Sequence, residues 1–150
     1  KELIEFRKQE GKALEKDLNY QINMNEKDML EVINHAPERK DSIKNKLNSS
    51  LQELNVELNK ERWDQEIIYY LEKYDINEEI VRLKNHLNFF RETVNSSISE
   101  KGKKLVFISQ EIGREINTIG SKANHSAIQK NVVEMKNNLE KIKEQLLNVL

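Results

Sequence analysis

The sequence predicts an all-α fold: a helical bundle with a long antiparallel coiled-coil-like hairpin near its N-terminus. One proline and four glycines in 150 residues leave little material for the turns that a β-sandwich or barrel needs. Apolar residues recur at helical spacing almost throughout the chain. Charged residues make up 34% and aromatic residues 6%, a composition typical of amphipathic helices with solvated outer faces.

The first two predicted helices form the hairpin. A loose apolar pattern covers 3–33, and Pro37 is expected to break the chain there because proline fits the first turn of a following helix. Gly11, in the middle of the first helix, is expected to allow close approach of another helix. We therefore predict a hairpin domain at 1–61 and a separate helical bundle at 62–150. The second helix carries a narrow seam at spacings of 4, 4, 3 and 4, namely Ile43, Leu47, Leu51, Leu54 and Leu58.

Four more helices are predicted in the second domain. Asp75 is the expected N-cap of the second of these, and Gly120 the expected C-terminal cap of the third. The last has a regular seam in which spacings of 4 and 3 alternate from Ile128 to Val149. The four apolar patterns cover 63–74, 76–94, 105–119 and 128–149.

Composition excludes several classes of protein. The absence of cysteine excludes a disulfide framework and thiolate metal sites. No apolar run approaches the length of a membrane span, so no membrane partner is expected. The net charge of −1 gives no overall signature of nucleic-acid binding. Because Lys1 begins in mid-helical pattern, we expect the chain to be a segment of something longer.

The helix predicted at 76–94 carries a polar arc beside its apolar seam. Asp75, Glu79, Arg82 and His86 fall within roughly 60° when successive residues are placed on a helical wheel. A carboxylate, a guanidinium and an imidazole on one arc can bind a hard metal ion and a phosphate together. A helix cap followed by ordinary surface pairs explains the same residues, so both interpretations stay open.

The helix predicted at 105–119 carries two polar stripes that extend past its end. Two glutamates spaced i,i+4 repel each other in a bare helix, and a nearby cation would remove that cost. The first stripe, which flanks the apolar seam, consists of Glu111, Glu115, Thr118 and Lys122. The second consists of Gln110, Arg114, Asn117 and Ser121.

Aromatic residues and histidines give weaker signals. Four aromatic residues have the chemistry to stack on bases, although their helical spacing favours core or interface packing: Trp63, Tyr69, Tyr70 and Tyr74. His35 and His125 are expected at the solvated surface, and the three histidines show no zinc-site spacing.

Several segments resemble the YicC family in its C-terminal part. DINEEIVRLKNHLNFF at 75–90, KGKKLVFISQEIGREINTIGSKAN at 101–124 and VVEMKNNLEKIKEQLLN at 132–148 carry the resemblance. The block REINTIGSKAN, followed by the KxxLEKIxEQ pattern, is the most specific part. Gly113 stands where a polar residue is expected, and His125 where an acidic one is expected.

The resemblance implies a function. YicC-like proteins are bacterial cytoplasmic endoribonucleases that assemble as ring-like homo-hexamers and carry a further N-terminal domain. The chain is then expected to be the helical half of such a nuclease. Besides the two stripes above, the family-like polar positions are Glu66, Asp75, Glu78, Glu79, Arg82 and His86.

We therefore predict endonucleolytic cleavage of RNA with help from a divalent cation, Mg²⁺ or Mn²⁺, which would lower the pKa of the attacking water or hydroxyl. Two alternatives remain open: a non-catalytic RNA-binding or regulatory protein, and a structural coiled-coil assembly module. The expected metal ligands or acid–base groups, which should face each other across two packed helices, are Glu79, His86, Glu111 and Glu115. The expected RNA-binding residues are Arg82, Gln110, Arg114, Asn117 and Lys122.

Overall fold

The computed structural model describes residues 2–53, 60–96, 101–123 and 125–147. Within these ranges every regular element is helical, which confirms the all-α prediction. None of the helices described is both long and apolar enough to cross a membrane. The five helices are α1 (Glu2–Glu53), α2 (Lys60–Lys73), α3 (Asn77–Val94), α4 (Lys101–Lys122) and α5 (Ser126–Leu147).

Four of the helices form a bundle. α1 packs on α3, α3 on α4, α4 on α5 and α5 on α1, while α2 lies against α1. Contacts between residues near opposite ends of consecutive helices make these neighbours antiparallel, as with Glu79 of α3 and Lys122 of α4. The apolar seams predicted at 76–94, 105–119 and 128–146 are all buried and form most of the core. Val149, the last position of the predicted seam, lies outside the described residues.

The predicted hairpin turn at Pro37 is wrong, because α1 continues through this residue as one helix. A proline inside a helix costs about 3 kcal/mol, since it removes one hydrogen bond and crowds the preceding turn. Tertiary contacts on both sides of Pro37 offset that cost. Val32 is buried before it, and Arg39 is buried after it and donates hydrogen bonds to the carbonyl oxygens of Tyr74 and Lys122.

The apolar seam of the second half of α1 is incompletely covered. Ile43 and Leu47 are only partly buried, whereas the first half of α1 packs closely on α3 and α5. Leu54 and Leu58, together with the side chain of Leu51, lie outside the described residues. The division into domains at 1–61 and 62–150 stays a prediction.

Two glycines let α4 approach α5 closely. A Cβ atom at Gly113 would lie 3.2 Å from Cδ2 of Leu139, and one at Gly120 would lie 3.1 Å from Cγ1 of Val132. Gly120 lies inside α4, so its predicted role as a C-terminal cap is wrong. At Gly11 no described atom lies within 4 Å of a Cβ, so the close helix approach predicted there is absent from the described part of the fold.

Candidate active site

The predicted N-cap of α3, Asp75, is wrong by one residue, because the helix begins after Ile76. Oδ1 of Asp75 accepts a hydrogen bond from the backbone N–H of Asn77 at 2.9 Å, one residue after the geometric cap, Ile76. Glu78, in the first turn, forms an ion pair with Arg82. Two members of the polar arc, Asp75 and Arg82, therefore contact the first turn of α3.

The polar arc of α3 and the first stripe of α4 lie at the edge of a packed interface. Glu79 and Glu115 are buried, with 4% and 8% of their surfaces exposed. His86 and Glu111 are partly buried. Carboxylates in such positions need a partner, because burying an unpaired charge is costly.

Glu79 has its partner in Lys122. Nζ of Lys122 donates a hydrogen bond to Oε1 of Glu79 at 2.7 Å and reaches the carbonyl oxygen of Asp75 at 3.4 Å. Oε2 of Glu79 is buried and has no hydrogen-bond partner among the described residues. The side chain of Lys122 is one-third exposed, so its ammonium group connects the buried carboxylate with the surface.

The remaining predicted acid–base residues lie further along the interface. His86 follows Glu79 by seven residues, and Glu115 precedes Lys122 by seven, so these two lie at about the same level of the antiparallel pair. At 1.5 Å per residue, that level is about 10 Å along the axis from the Glu79–Lys122 pair. Glu111 lies one further turn away. The four residues therefore form a row along the α3–α4 interface.

This row does not fit a single divalent cation in one chain. Across the described residues, no three His, Cys, Asp or Glu side chains converge closely enough to hold a metal ion. In addition, the ammonium group of Lys122 already occupies Oε1 of Glu79.

The other predicted RNA-binding residues face solvent. Arg82 is exposed beside Glu78, and Arg114, whose side chain is 78% exposed, is 3.7 Å from Glu111. Gln110 and Asn117 are exposed on the same outer side of α4. This second stripe is accessible to a large ligand along its full length.

A cavity of about 350 Å³ opens where α1, α2 and the C-terminal end of α4 meet. Lys122 lines it, so the Glu79–Lys122 pair and the cavity are continuous. The other lining residues with polar or aromatic side chains include Arg39, Lys46, Tyr70, Tyr74 and His125.

Most of this chain matches a model of a known family. The family model described as "Endoribonuclease YicC-like, C-terminal" matches residues 32–150. The chain belongs to the YicC-like family. Its stripes and the end of α4 fall inside the matched region, as does the cavity.

Two curated relatives are similar to this YicC-like chain. It is 36% identical over 150 residues to a protein of Clostridioides difficile (strain 630) named "Probable endoribonuclease YicC", covering 98% of this chain and 51% of the relative. It is 38% identical over 96 residues to a Haemophilus influenzae (strain Rd) protein of the same name, covering 61% of this chain and 32% of the relative. The chain thus spans about half the length of the first relative and about a third of the second.

Arg39 fixes one wall of the cavity. Only 3% of its surface is exposed, and its guanidinium group donates to the carbonyl oxygens of Tyr74 and, at 2.8 Å, of Lys122. Burial lowers the pKa of Arg39, and the charge of Asp75 opposes that shift. Nε of Arg39 is buried without a hydrogen-bond partner among the described residues. Sequence reasoning missed Arg39, because its role depends on helix ends that are distant in sequence.

The two histidines expected at the solvated surface lie against each other beside the cavity. Their ring centroids are 5.9 Å apart, and the side chain of His125 is only 19% exposed. Oε2 of Glu38 lies 3.2 Å from Nδ1 of His35 and 3.9 Å from Nε2 of His125. No local pattern indicates this cluster, since His35 and His125 are brought together by the packing of α1 beside the start of α5.

Proposed function

We propose that the complete protein to which this chain belongs cleaves phosphodiester bonds in RNA, and that the C-terminal end of α4 takes part. The observation that carries the proposal is the position of Lys122 within a YicC-like match: its ammonium group is held by buried Glu79 at the wall of a cavity. Supporting it, two curated relatives are named as probable endoribonucleases.

Lys122 has the chemistry to stabilise a phosphate undergoing cleavage. An ammonium group has three donors, and Lys122 directs one to Glu79 at 2.7 Å and one to Asp75 at 3.4 Å. The remaining donor is available for a phosphate oxygen, whose negative charge increases as the attacking oxygen approaches phosphorus. Glu79 is buried, so it acts as a positioning residue that fixes the ammonium group.

Cleavage also needs a base that removes a proton from the attacking oxygen and an acid that protonates the leaving oxygen. His86, Glu111 and Glu115 have suitable side chains for these roles. Because His86 and Glu115 lie about 10 Å along the same chain from Lys122, they would act on the phosphate at Lys122 from a neighbouring subunit of the oligomer. Arg82, Gln110, Arg114 and Asn117 are proposed to hold neighbouring phosphates along the exposed side of the row.

The proposal extends to assembly and location. The complete protein would act as a homo-oligomer, a hexamer by the family resemblance, in the bacterial cytoplasm. Help from Mg²⁺ or Mn²⁺ would need ligands beyond those that one chain brings together in its described part.

The experiment uses the complete protein with a 5′-labelled single-stranded RNA and a DNA of the same sequence, with Mg²⁺ or with chelator. Cleavage of the RNA but not of the DNA supports the proposal. Loss of cleavage in chelator supports the metal requirement. Binding of RNA without cleavage would instead support a regulatory RNA-binding protein. If the protein neither binds nor cleaves RNA, the result would support a structural assembly module.

Light scattering tests the oligomer. A molecular mass of several subunits is expected, and a stable monomer of the complete protein would contradict this part of the proposal.

A further inference from the structure

We propose that the cavity between α1, α2 and α4 is a nucleotide subsite, which binds one phosphate and the adjoining base of a single-stranded RNA. This inference rests on the proposed function and assigns its substrate a second point of attachment. It is carried by the charge of the lining, by one buried guanidinium group and by two parallel aromatic rings.

The lining favours an anion. Arg39, Lys46, Lys122 and His125 contribute cationic or protonatable nitrogens, and the described lining contains no carboxylate. Three of these groups have acids nearby, because Lys122 contacts Glu79, His125 lies 3.9 Å from a carboxylate oxygen of α1, and Arg39 interacts with the charge of Asp75. Lys46 therefore supplies the net positive charge of the lining.

Arg39 also removes an obstacle to anion binding. The carbonyl ends of helices carry partial negative charge and repel phosphates. Here the guanidinium group of Arg39 covers the C-terminal ends of α2 and α4. It donates hydrogen bonds to the carbonyl oxygen of Tyr74, just after α2, and to that of Lys122, the last residue of α4. Its buried Nε has no partner among the described residues, so one donor of a fixed cation in the wall is unused.

The aromatic side of the cavity fits a base. The rings of Tyr70 and Tyr74 are nearly parallel, at 10°, with centroids 6.3 Å apart. Both line the cavity together with partly buried Ile43 and Leu47, which form an apolar strip. Aromatic rings bind the faces of bases in single-stranded nucleic acids with little sequence preference. The volume of about 350 Å³ lies within the range of small-ligand pockets.

The test measures binding of a fluorescein-labelled 12-nucleotide RNA to the complete protein, and gel electrophoresis after each titration verifies that the RNA is uncut. Lys46→Ala should weaken binding and reduce the slope of log affinity against log salt by about 0.7, the value for one phosphate contact in a single strand. The matched control is Lys44→Ala, two residues away on α1 and outside the lining. It should change the affinity and the salt slope only by the small general effect of removing one surface charge.

The aromatic contribution is tested at Tyr70. Tyr70→Leu should raise Kd by about five-fold or more, whereas Tyr70→Phe, which keeps the ring, should stay close to the unsubstituted protein. Circular dichroism and thermal unfolding verify that each variant is folded. Adenosine 5′-monophosphate should compete with the RNA more strongly than inorganic phosphate does.

The outcomes separate this inference from the proposed function. If the protein cleaves RNA but Lys46→Ala and Tyr70→Leu bind it as the control variants do, the subsite is wrong and the nuclease proposal stands. Equal effects of Lys46→Ala and Lys44→Ala would also overturn the subsite. If the unsubstituted protein neither binds nor cleaves RNA, the proposed function itself fails.

Discussion

Two interfaces of the bundle each bury a carboxylate, and they treat it differently. Between α3 and α4, Glu79 is 4% exposed and accepts a hydrogen bond from the ammonium group of Lys122 at 2.7 Å. Between α1 and α5, Asp28 is 5% exposed and accepts a hydrogen bond from the neutral amide of Asn138 at 3.3 Å.

The surroundings of Asp28 disfavour its charge. Burial, a hydrogen bond with Glu134, and the charges of Glu134 and Glu31 raise the pKa of Asp28 from 3.8 to about 7, against a smaller opposing effect of Lys27. Nearby on α1, Asn25 is fully buried, and neither its oxygen nor its nitrogen has a described partner. A cation beside the buried acid thus distinguishes the α3–α4 interface, which leads to the cavity, from the α1–α5 interface.

The largest expected loss of stability from a substitution comes from removing that cation. Lys122→Met leaves Glu79 buried without its partner and should lower the free energy of unfolding by about 2 to 3 kcal/mol. This cost is at the low end for a buried pair because the side chain of Lys122 is one-third exposed. Urea unfolding measures the change in the free energy of unfolding. The control is Lys143→Met, whose lysine lies 3.8 Å from exposed Glu140 and should cost less than about 0.5 kcal/mol. Equal costs would remove the distinction between the interfaces.

A pH effect is expected from the other interface. Because the folded pKa of Asp28 lies above its unfolded value, the folded chain retains a proton between about pH 4 and pH 7 that the unfolded chain has lost. The contribution of Asp28 to stability is therefore greatest at low pH and falls, on the order of 4 kcal/mol in total, as pH rises through this window. Urea unfolding between pH 4 and 8 follows the change.

Asp28→Asn should flatten that pH dependence, because the amide does not titrate and keeps the shape of the carboxyl group. It should also stabilise the chain at pH 8 relative to the unsubstituted protein. An unchanged pH profile in this variant would mean that Asp28 does not cause the dependence.

A smaller effect is expected at Asn25. Asn25→Leu removes an amide that is buried without a described partner and should raise the free energy of unfolding by about 1 kcal/mol. Asn137→Leu on the exposed side of α5 is the control, and should change stability by less than about 0.5 kcal/mol. A loss of stability in Asn25→Leu would show that this interface depends on a polar group.

The same contrast explains which parts of the fold the sequence could predict. α3, α4 and α5 have apolar residues at nearly every core position, so spacing alone located them. α1 places Asn25 and Arg39 on the same side as Leu18, Met29 and Val32, and a search for apolar residues misses such polar core positions. A local rule for proline predicts a break at Pro37. The helix continues there because Arg39 contacts helix ends that are distant in sequence.

The candidate site was predictable to a similar extent. Helical spacing placed Glu79 on one polar arc and Lys122 on another stripe, but only the register of α3 against α4 makes them partners. The cavity and the His35–His125 contact depend on how α1 packs beside α2 and α5, which no spacing within one helix encodes.

The most direct test of the account compares the two buried carboxylates in catalysis. Single-turnover cleavage of one labelled RNA by the complete protein is measured for Glu79→Gln and Asp28→Asn, at a temperature where both variants are fully folded. If Glu79 positions an ammonium group that contacts the phosphate, as proposed, Glu79→Gln should slow cleavage by about ten-fold or more, mainly in the rate at saturating protein. Asp28→Asn should cleave at the unsubstituted rate. Cleavage by Glu79→Gln at the rate of Asp28→Asn would contradict a catalytic role for the Glu79–Lys122 pair.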